Sequence, residues 1–181
     1  ADPEALQHWL APTGSKPVPL VMGIAGAAPL IRILKSAERV PWSGHSSRYA
    51  IEEVYEEITR ARMTLIFVNT RSQAEMTFQW LWEANEANLP IALHHGSLDV
   101  GQRRKVEAAM AAGKLKAVVC TSTLDLGIDW GDVDLVIHVG APKGSSRLLQ
   151  RIGRSNHRLD SPSEALLVPS NRFEVLECEA A

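Results

Sequence analysis

The chain has 181 residues, of which 45% are hydrophobic and 22% are charged, and its formal net charge is −2. These values fit one domain with a sizeable core and exclude wholesale disorder. No apolar run reaches the roughly 18 residues of a transmembrane helix, and the N-terminus lacks the layout of a signal peptide. Two cysteines, Cys120 and Cys178, are too few for a disulfide scaffold, which suits a reducing cytoplasm.

The ends of the chain differ in character from its middle. Six of the ten prolines lie within the first 41 residues, which predicts connecting chain with one or two short strands. Residues 2–10 have a helical pattern without an evident partner, and residues 175–181 stop within another helical pattern. We therefore expect a fragment, with a linker or the exit of a preceding domain at 1–14, one domain at 15–170 and the start of a connection at 171–181.

Beyond residue 47 the apolar period alternates between helical and strand-like. Predicted helices begin near residues 50, 72, 99 and 145. Ser72 and Glu75 form a predicted capping box, and Ala74, Phe78 and Trp82 are predicted to share the buried face of that helix. Predicted strands are the apolar runs 64–68, 91–93, 117–120, 135–139 and 165–168.

This alternation predicts an α/β fold with a mainly parallel sheet covered on both faces. Such sheets carry their chemistry at the carboxyl ends of the strands. The loops at those ends, 69–71, 94–97, 121–129 and 140–158, are rich in hydroxyls, glycines and guanidinium groups. These groups bind phosphate oxygens.

The fourth loop is strongly basic. Between residues 135 and 159 there is no Asp or Glu, and the five basic residues are Lys143, Arg147, Arg151, Arg154 and Arg158. The arginine spacings of 4, 3 and 4 would place these side chains on one helical face, where they repel unless an anion neutralises them. A solvated basic face is the alternative, but Gly153 and the polar pair that follows indicate a turn that aims the arginines.

The third loop has two interpretations. Its hydroxyls could bind a nucleic-acid phosphate, with Gly127 allowing close backbone approach and Asp129 binding a ribose hydroxyl. In the alternative, the Thr and Ser side chains merely cap a turn after the strand.

In order along the chain, these segments resemble helicase motifs of superfamily 2. Residues 67–71 resemble motif IV, 121–129 resemble motif V, and 150–154 resemble the core of motif VI. Segments 94–98 and 141–150 are similar to the Lhr-type branch, and most closely to bacterial DExH-box helicases associated with a DNA ligase. The chain thereby resembles the second RecA-like domain, or helicase C-terminal domain, of these motors.

The resemblance implies an ATP-dependent DNA helicase or translocase of 3′-to-5′ polarity with a role in repair, in the bacterial cytosol or nucleoid. ATP with Mg²⁺ would bind between two RecA-like domains. The chain has no P-loop and no DExH box, so we expect both to come from an upstream domain and the chain alone to be inactive. Expected partners are that domain, single-stranded DNA or a duplex junction, and ligase and nuclease repair proteins, with no membrane.

The resemblance also implies roles for individual residues. The catalytic group would be Arg151 and Arg154, facing the ATP phosphates, and Gln150. The ATP-binding group would be Gly127, Asp129, His157 and Arg158, with either His157 or Arg158 as the second arginine-finger position. The nucleic-acid contacts would be Asn69, Thr70, Arg71, His95, Gly96, Ser97, Thr121, Ser122 and Lys143.

Other functions fit the pattern less well. A stand-alone RecA-like nucleic-acid or protein-binding module without ATPase activity is the first alternative. A small-molecule phosphate-binding enzyme is the second, but it needs a base or nucleophile near the arginines, where Asp125 and Asp129 are the only acids. We expect no metal site in this chain, since adjacent His94 and His95 point to opposite faces of a strand.

Overall fold

The computed structural model describes residues 3–11, 18–21, 27–44, 46–125, 133–153 and 162–180. The strands are β1 Leu30–Ile33, β2 Thr64–Val68, β3 Ile91–His94, β4 Ala117–Cys120, β5 Leu135–Val139 and β6 Glu164–Val168. The helices are α1 Pro3–Leu10, α2 Ile51–Arg60, α3 Arg71–Glu83, α4 Val100–Ala111, α5 Ser145–Ile152 and α6 Arg172–Glu179.

The six described strands form one sheet in the order β1-β6-β5-β2-β4-β3, and every pairing is parallel. β2, β4 and β5 have the predicted bounds because each is a continuous apolar run, and all their residues are buried. The predicted α/β class is confirmed. Since all strands point the same way, their following loops meet at one edge of the sheet.

Helices cover both faces of the sheet. On one face, α2 and α3 bury Val54, Ile58 and Leu81 against Ile66 of β2. On the other, Met110 of α4 packs in a cluster with side chains of β2 and β4. Over β6 on that face, a third cluster joins the apolar residues of α5 to Cys178 of α6. These three clusters hold the helices in place on the sheet, next to the loops that follow the strands.

Helix α3 differs from its prediction at its start and in its buried face. Its capping box is formed by Thr70 and Gln73, not by Ser72 and Glu75, because only two residues separate the end of β2 from the first residue of the helix. The buried face includes the polar Gln73 and Thr77, which rotates Trp82 outward. Trp82 is exposed and lies beside the Phe78 ring with centroids 6.0 Å apart.

The ends of the chain are joined to this body to different degrees. α1 has no buried residue, whereas α6 is capped by the Asn171 side chain and buries Cys178 against the α5 cluster. Among the described residues, no helix is long and apolar enough to cross a membrane.

Candidate functional site

The loop after β2 lies against the loop after β5. Asn69 donates a hydrogen bond from Nδ2 to the Ala141 carbonyl at 3.0 Å. The chain between β5 and Ala141 passes through Gly140, which has a φ of 86° and whose missing Cβ would lie 3.0 Å from Asn69 Nδ2. A glycine is required here by both the left-handed backbone and the close approach of Asn69.

These two loops open into a cleft of about 610 Å³. Its lining brings together three of the predicted nucleic-acid residues, Asn69, Thr70 and Lys143. Glu174 and Glu177 of α6 line the same cleft. Donors for phosphate therefore face the cleft from the strand-end loops, while carboxylates repel an anion from the α6 side.

Arg71 and His95 meet at one carboxylate. Arg71 donates from Nε to Glu75 Oε1 at 2.8 Å, and His95 Nε2 lies 3.4 Å from the same oxygen. The His95 ring is buried, and this burial lowers its pKa. His95 was expected to contact nucleic acid, but its ring is closed off, and the neighbouring Gly96 and Ser97 are the exposed residues of that loop.

The loop after β4 continues into a short 3-10 helix, Ser122–Leu124. The Thr121 N–H donates to the His94 carbonyl at 3.3 Å, which ties this loop to the end of β3. Ser122 is exposed, while Leu124 is buried in the core cluster beneath α4. The predicted nucleic-acid residues after β2, β3 and β4 thus lie on one edge of the sheet.

Arg151 is buried within the domain, with 3% of its side chain exposed. Its Nε and Nη2 donate to the two carboxylate oxygens of Asp125 at 2.7 and 3.3 Å. Its Cζ also lies 4.6 Å from the ring centroid of Phe67. Arg151 was expected to face the ATP phosphates. Instead its guanidinium is neutralised within the chain by the carboxylate of Asp125, which directly follows the 3-10 helix. Arg147 Nε reaches the same carboxylate at 3.7 Å.

His138 completes this cluster. Its Nδ1 lies 3.0 Å from the Gly140 carbonyl, which can only accept, so Nδ1 carries the proton. Its Nε2 is then free of a proton and accepts from Arg151 Nη1 at 2.6 Å. Burial, and next the charge of Arg151, lower the pKa of His138 to about 4. His138 is therefore a neutral acceptor that orients the guanidinium.

The remaining predicted site residues divide into two sets. Gln150 is exposed on α5, one residue before Arg151. The residues that lie outside the described part of the chain are Gly127, Asp129, Arg154, His157 and Arg158. Within the described residues there is no cluster of His, Cys, Asp and Glu that could hold a metal ion.

Sequence reasoning missed the acceptors that hold these basic side chains. Glu75 was not considered as a partner of Arg71, although its i+4 spacing is the usual signal for such a pair. Asp125 was noted only as a nearby acid. Its pairing with Arg151 spans 26 residues, and no local spacing reveals it.

A family model described as "Helicase conserved C-terminal domain" matches residues 48–158. The ATP-dependent helicase Lhr-Core protein 2 of Thermococcus barophilus is 43% identical over 125 residues, covering 68% of this chain and 14% of that protein. The Lhr helicase/uracil glycosylase of Escherichia coli is 31% identical over 210 residues, covering 91% of this chain and 14% of that protein.

A solved structure is similar over nearly the whole chain. The helicase Lhr of Mycobacterium smegmatis, solved bound to single-stranded DNA and AMP-PNP, superposes with a TM-score of 0.79 at 31% identity. The match covers 97% of this chain and 24% of that one. The chain thus spans a small part of the length of these relatives.

Proposed function

Because the chain belongs to the helicase conserved C-terminal domain family and has its RecA-like fold, we propose that it is the second motor domain of an ATP-dependent, Lhr-type DNA helicase or translocase. The observation that carries the proposal is that the segment resembling motif IV and residues 121–125 of the segment resembling motif V follow the neighbouring strands β2 and β4 at one edge of the sheet, where the phosphate donors Arg71 and Ser122 are exposed. The M. smegmatis relative, solved with single-stranded DNA and a nucleotide analogue, supports it. Polarity from 3′ to 5′ and a role in repair with ligase or nuclease partners are part of the proposal.

The nucleic-acid side of the domain is formed by the loops after β2, β3, β4 and β5. Arg71, Ser97, Ser122 and Lys143 are exposed there and can donate to phosphate oxygens. These contacts read the backbone and not the base edges, so binding would be largely independent of sequence. Asn69 and Thr70 line the adjoining cleft and would fix the position of the nucleic-acid strand along it.

The nucleotide side is formed by α5 and the segments that flank it. Arg154 would face the transferred phosphate of ATP and stabilise its transition-state charge, an effect worth roughly 10³–10⁵ in rate. The buried Arg151 would act through Asp125, holding α5 against the motif V loop, instead of touching ATP. Gln150, Gly127, Asp129, His157 and Arg158 would lie on this side, while the P-loop and the Mg²⁺ carboxylate come from a second RecA-like domain.

The direct test is the ATPase activity of the intact protein measured with and without single-stranded DNA. We expect turnover that DNA stimulates, and no turnover by residues 1–181 alone. An intact protein that binds DNA but does not hydrolyse ATP would instead be a RecA-like binding module. ATP turnover by the isolated 181-residue chain would contradict the division of the site between two domains.

A further inference from the structure

His94, the last residue of β3, is buried between α4 and the loop that carries motif V. Its Nε2 lies 3.0 Å from Glu107 Oε1 on α4, and its Nδ1 lies 2.8 Å from Thr123 Oγ1 in the 3-10 helix. A carboxylate can only accept, so Nε2 carries the ring proton. In the neutral ring, Nδ1 then accepts the hydroxyl proton of Thr123.

Three contacts from the β4 loop converge on this one residue. Besides the ring contact, the Thr121 N–H donates to the His94 carbonyl, and Thr123 Oγ1 lies 3.4 Å from the same carbonyl. Thr123 also lies close to the loop after β3, since a Cβ on Gly96 would lie 3.8 Å from its Cγ2. The end of β3 is therefore one anchor of the 3-10 helix, beside the buried Leu124 and the pairing of Asp125 with Arg151.

The two ends of this short helix face the two halves of the proposed site. Ser122 at its start is exposed on the nucleic-acid side. Asp125, directly after its end, pairs with Arg151 on the nucleotide side. A shift of the helix would move both groups together, so whatever holds Thr123 controls their joint placement.

We propose that His94 is a positioning residue: through Glu107 and Thr123 it holds the motif V helix where Ser122 meets the nucleic acid and Asp125 meets Arg151. The ring itself does not touch a ligand, because 2% of the side chain is exposed. The inference rests on the proposed function for its effect on DNA binding. The holding of the loop is a property of the unliganded protein and can be measured separately.

The test uses Thr123→Val, which keeps the side-chain shape and removes the hydroxyl, and Thr123→Ser, which keeps the hydroxyl. In the intact protein, we expect Thr123→Val to raise the single-stranded DNA concentration that half-stimulates the ATPase by about 3- to 10-fold, the effect of one hydrogen bond. The affinity for ATP and the slope of log affinity against log salt should not change, since no phosphate contact is lost. Thr123→Ser should restore half-stimulation to within about 2-fold of the unsubstituted protein, because the hydrogen bond is retained.

Amide hydrogen exchange of the unliganded protein gives the second readout. We expect Thr123→Val to speed exchange of the amides at 122–125 by about 3- to 10-fold. In Thr123→Ser the exchange rates of these amides should be unchanged. Ile58→Val is the control for general loosening, because Ile58 is fully buried on α2 in the cluster on the opposite face of the sheet. It should lower the free energy of unfolding without altering half-stimulation by DNA.

Three outcomes would overturn the inference. Thr123→Val could match the unsubstituted protein in both measurements, or it could raise the half-stimulating DNA concentration without speeding amide exchange at 122–125, which would make Thr123 a direct contact of the nucleic acid. Ile58→Val could raise the half-stimulating DNA concentration as much as Thr123→Val, which would mean that any loss of stability has this effect. Absence of DNA stimulation in the unsubstituted protein would contradict the proposed function instead, and the exchange data would still decide whether His94 holds the loop.

Discussion

Arg151 and Asp125 form a buried ion pair that joins α5 to the end of the β4 loop through two hydrogen bonds of 2.7 and 3.3 Å. Neutral His138 accepts a third hydrogen bond from the same guanidinium. A planar group with three aligned acceptors cannot be replaced by a point charge without losing contacts. This pair therefore links the segment resembling motif VI to the loop resembling motif V.

Removing the guanidinium should destabilise the fold strongly. We expect Arg151→Met to lower the free energy of unfolding by about 3 kcal/mol, because the Asp125 carboxylate is left buried without its main partner. Arg147, whose Nε lies 3.7 Å from Asp125 Oδ2, can neutralise this carboxylate in part. Urea unfolding of the intact protein and of the variant measures the difference.

The control for this prediction is Arg60→Met. Arg60 forms exposed ion pairs with Glu56 and Glu57 on α2, and exposed pairs contribute little to stability. A loss below about 1 kcal/mol is expected there. If Arg151→Met also lowered the free energy of unfolding by less than about 1 kcal/mol, the pair of Arg151 and Asp125 would not be holding α5 to the loop after β4.

The state of His138 predicts a dependence of stability on pH. The unfolded imidazole takes up a proton near pH 6.5, whereas the folded one resists protonation until about pH 4. Between these values the unfolded state binds more protons, so the free energy of unfolding falls as the pH falls. The accumulated loss at pH 4 is on the order of 3 kcal/mol.

This loss can be assigned with His138→Gln, whose amide oxygen can still accept from Arg151 and does not titrate. Proton uptake on unfolding at pH 5 should be lower by close to one proton in the variant than in the unsubstituted protein. Equal uptake by the two proteins would mean that His138 is already protonated in the folded state.

Gly140 should tolerate no side chain. Gly140→Ala places a Cβ 3.0 Å from Asn69 Nδ2 on a backbone with φ of 86°, so both strain and a displaced Asn69 are expected. Gly144→Ala is the matched control, since Gly144 has a φ of 97° but open space around it. Backbone strain should lower the free energy of unfolding of each variant by about 1–2 kcal/mol.

The difference between these two variants reports the contact with Asn69. Thermal unfolding should show Gly140→Ala about 1 kcal/mol less stable than Gly144→Ala, the value of the hydrogen bond from Asn69 to Ala141. Binding of single-stranded DNA should weaken in Gly140→Ala alone. If the two variants bound single-stranded DNA equally well and unfolded alike, the contact of Asn69 with Ala141 would have no role in DNA binding.

Much of the fold could be predicted, because the central strands β2, β4 and β5 are mainly apolar runs whose length and neighbours identify them, whereas the exposed edge strand β1 contains Arg32 and its bounds were not predicted. The Lhr-type resemblance, read from ordered motifs, is confirmed by the relatives and by the structural match. The start of α3 could not be predicted, since capping boxes at Thr70 and Ser72 overlap in the sequence. On α3 the burial of Ala74 was predicted correctly, but that of Trp82 was wrong because the polar Gln73 and Thr77 occupy part of the buried face.

The candidate site was predictable in its location but not in its internal pairing. The rule that parallel strands place their loops at one edge predicted that these segments lie together, and the all-parallel sheet has the described loops after β2, β3, β4 and β5 at one edge. The burial of Arg151 depends on Asp125 and His138, which lie 26 and 13 residues away along the chain. A basic side chain in a helix gives no local sign of whether its anion is a ligand or a carboxylate of the same domain.

The division of labour between the two sides of the domain is tested most directly by comparing Arg71→Ala with Arg154→Ala in the intact protein. ATP binding without DNA, ATP turnover, and DNA binding over a range of salt concentrations are measured for both. We expect Arg71→Ala to weaken DNA binding and lower the salt slope by about one, leaving ATP binding unchanged. Arg154→Ala should abolish ATP turnover and leave DNA affinity nearly intact. Equal loss of both activities in both variants would contradict the account.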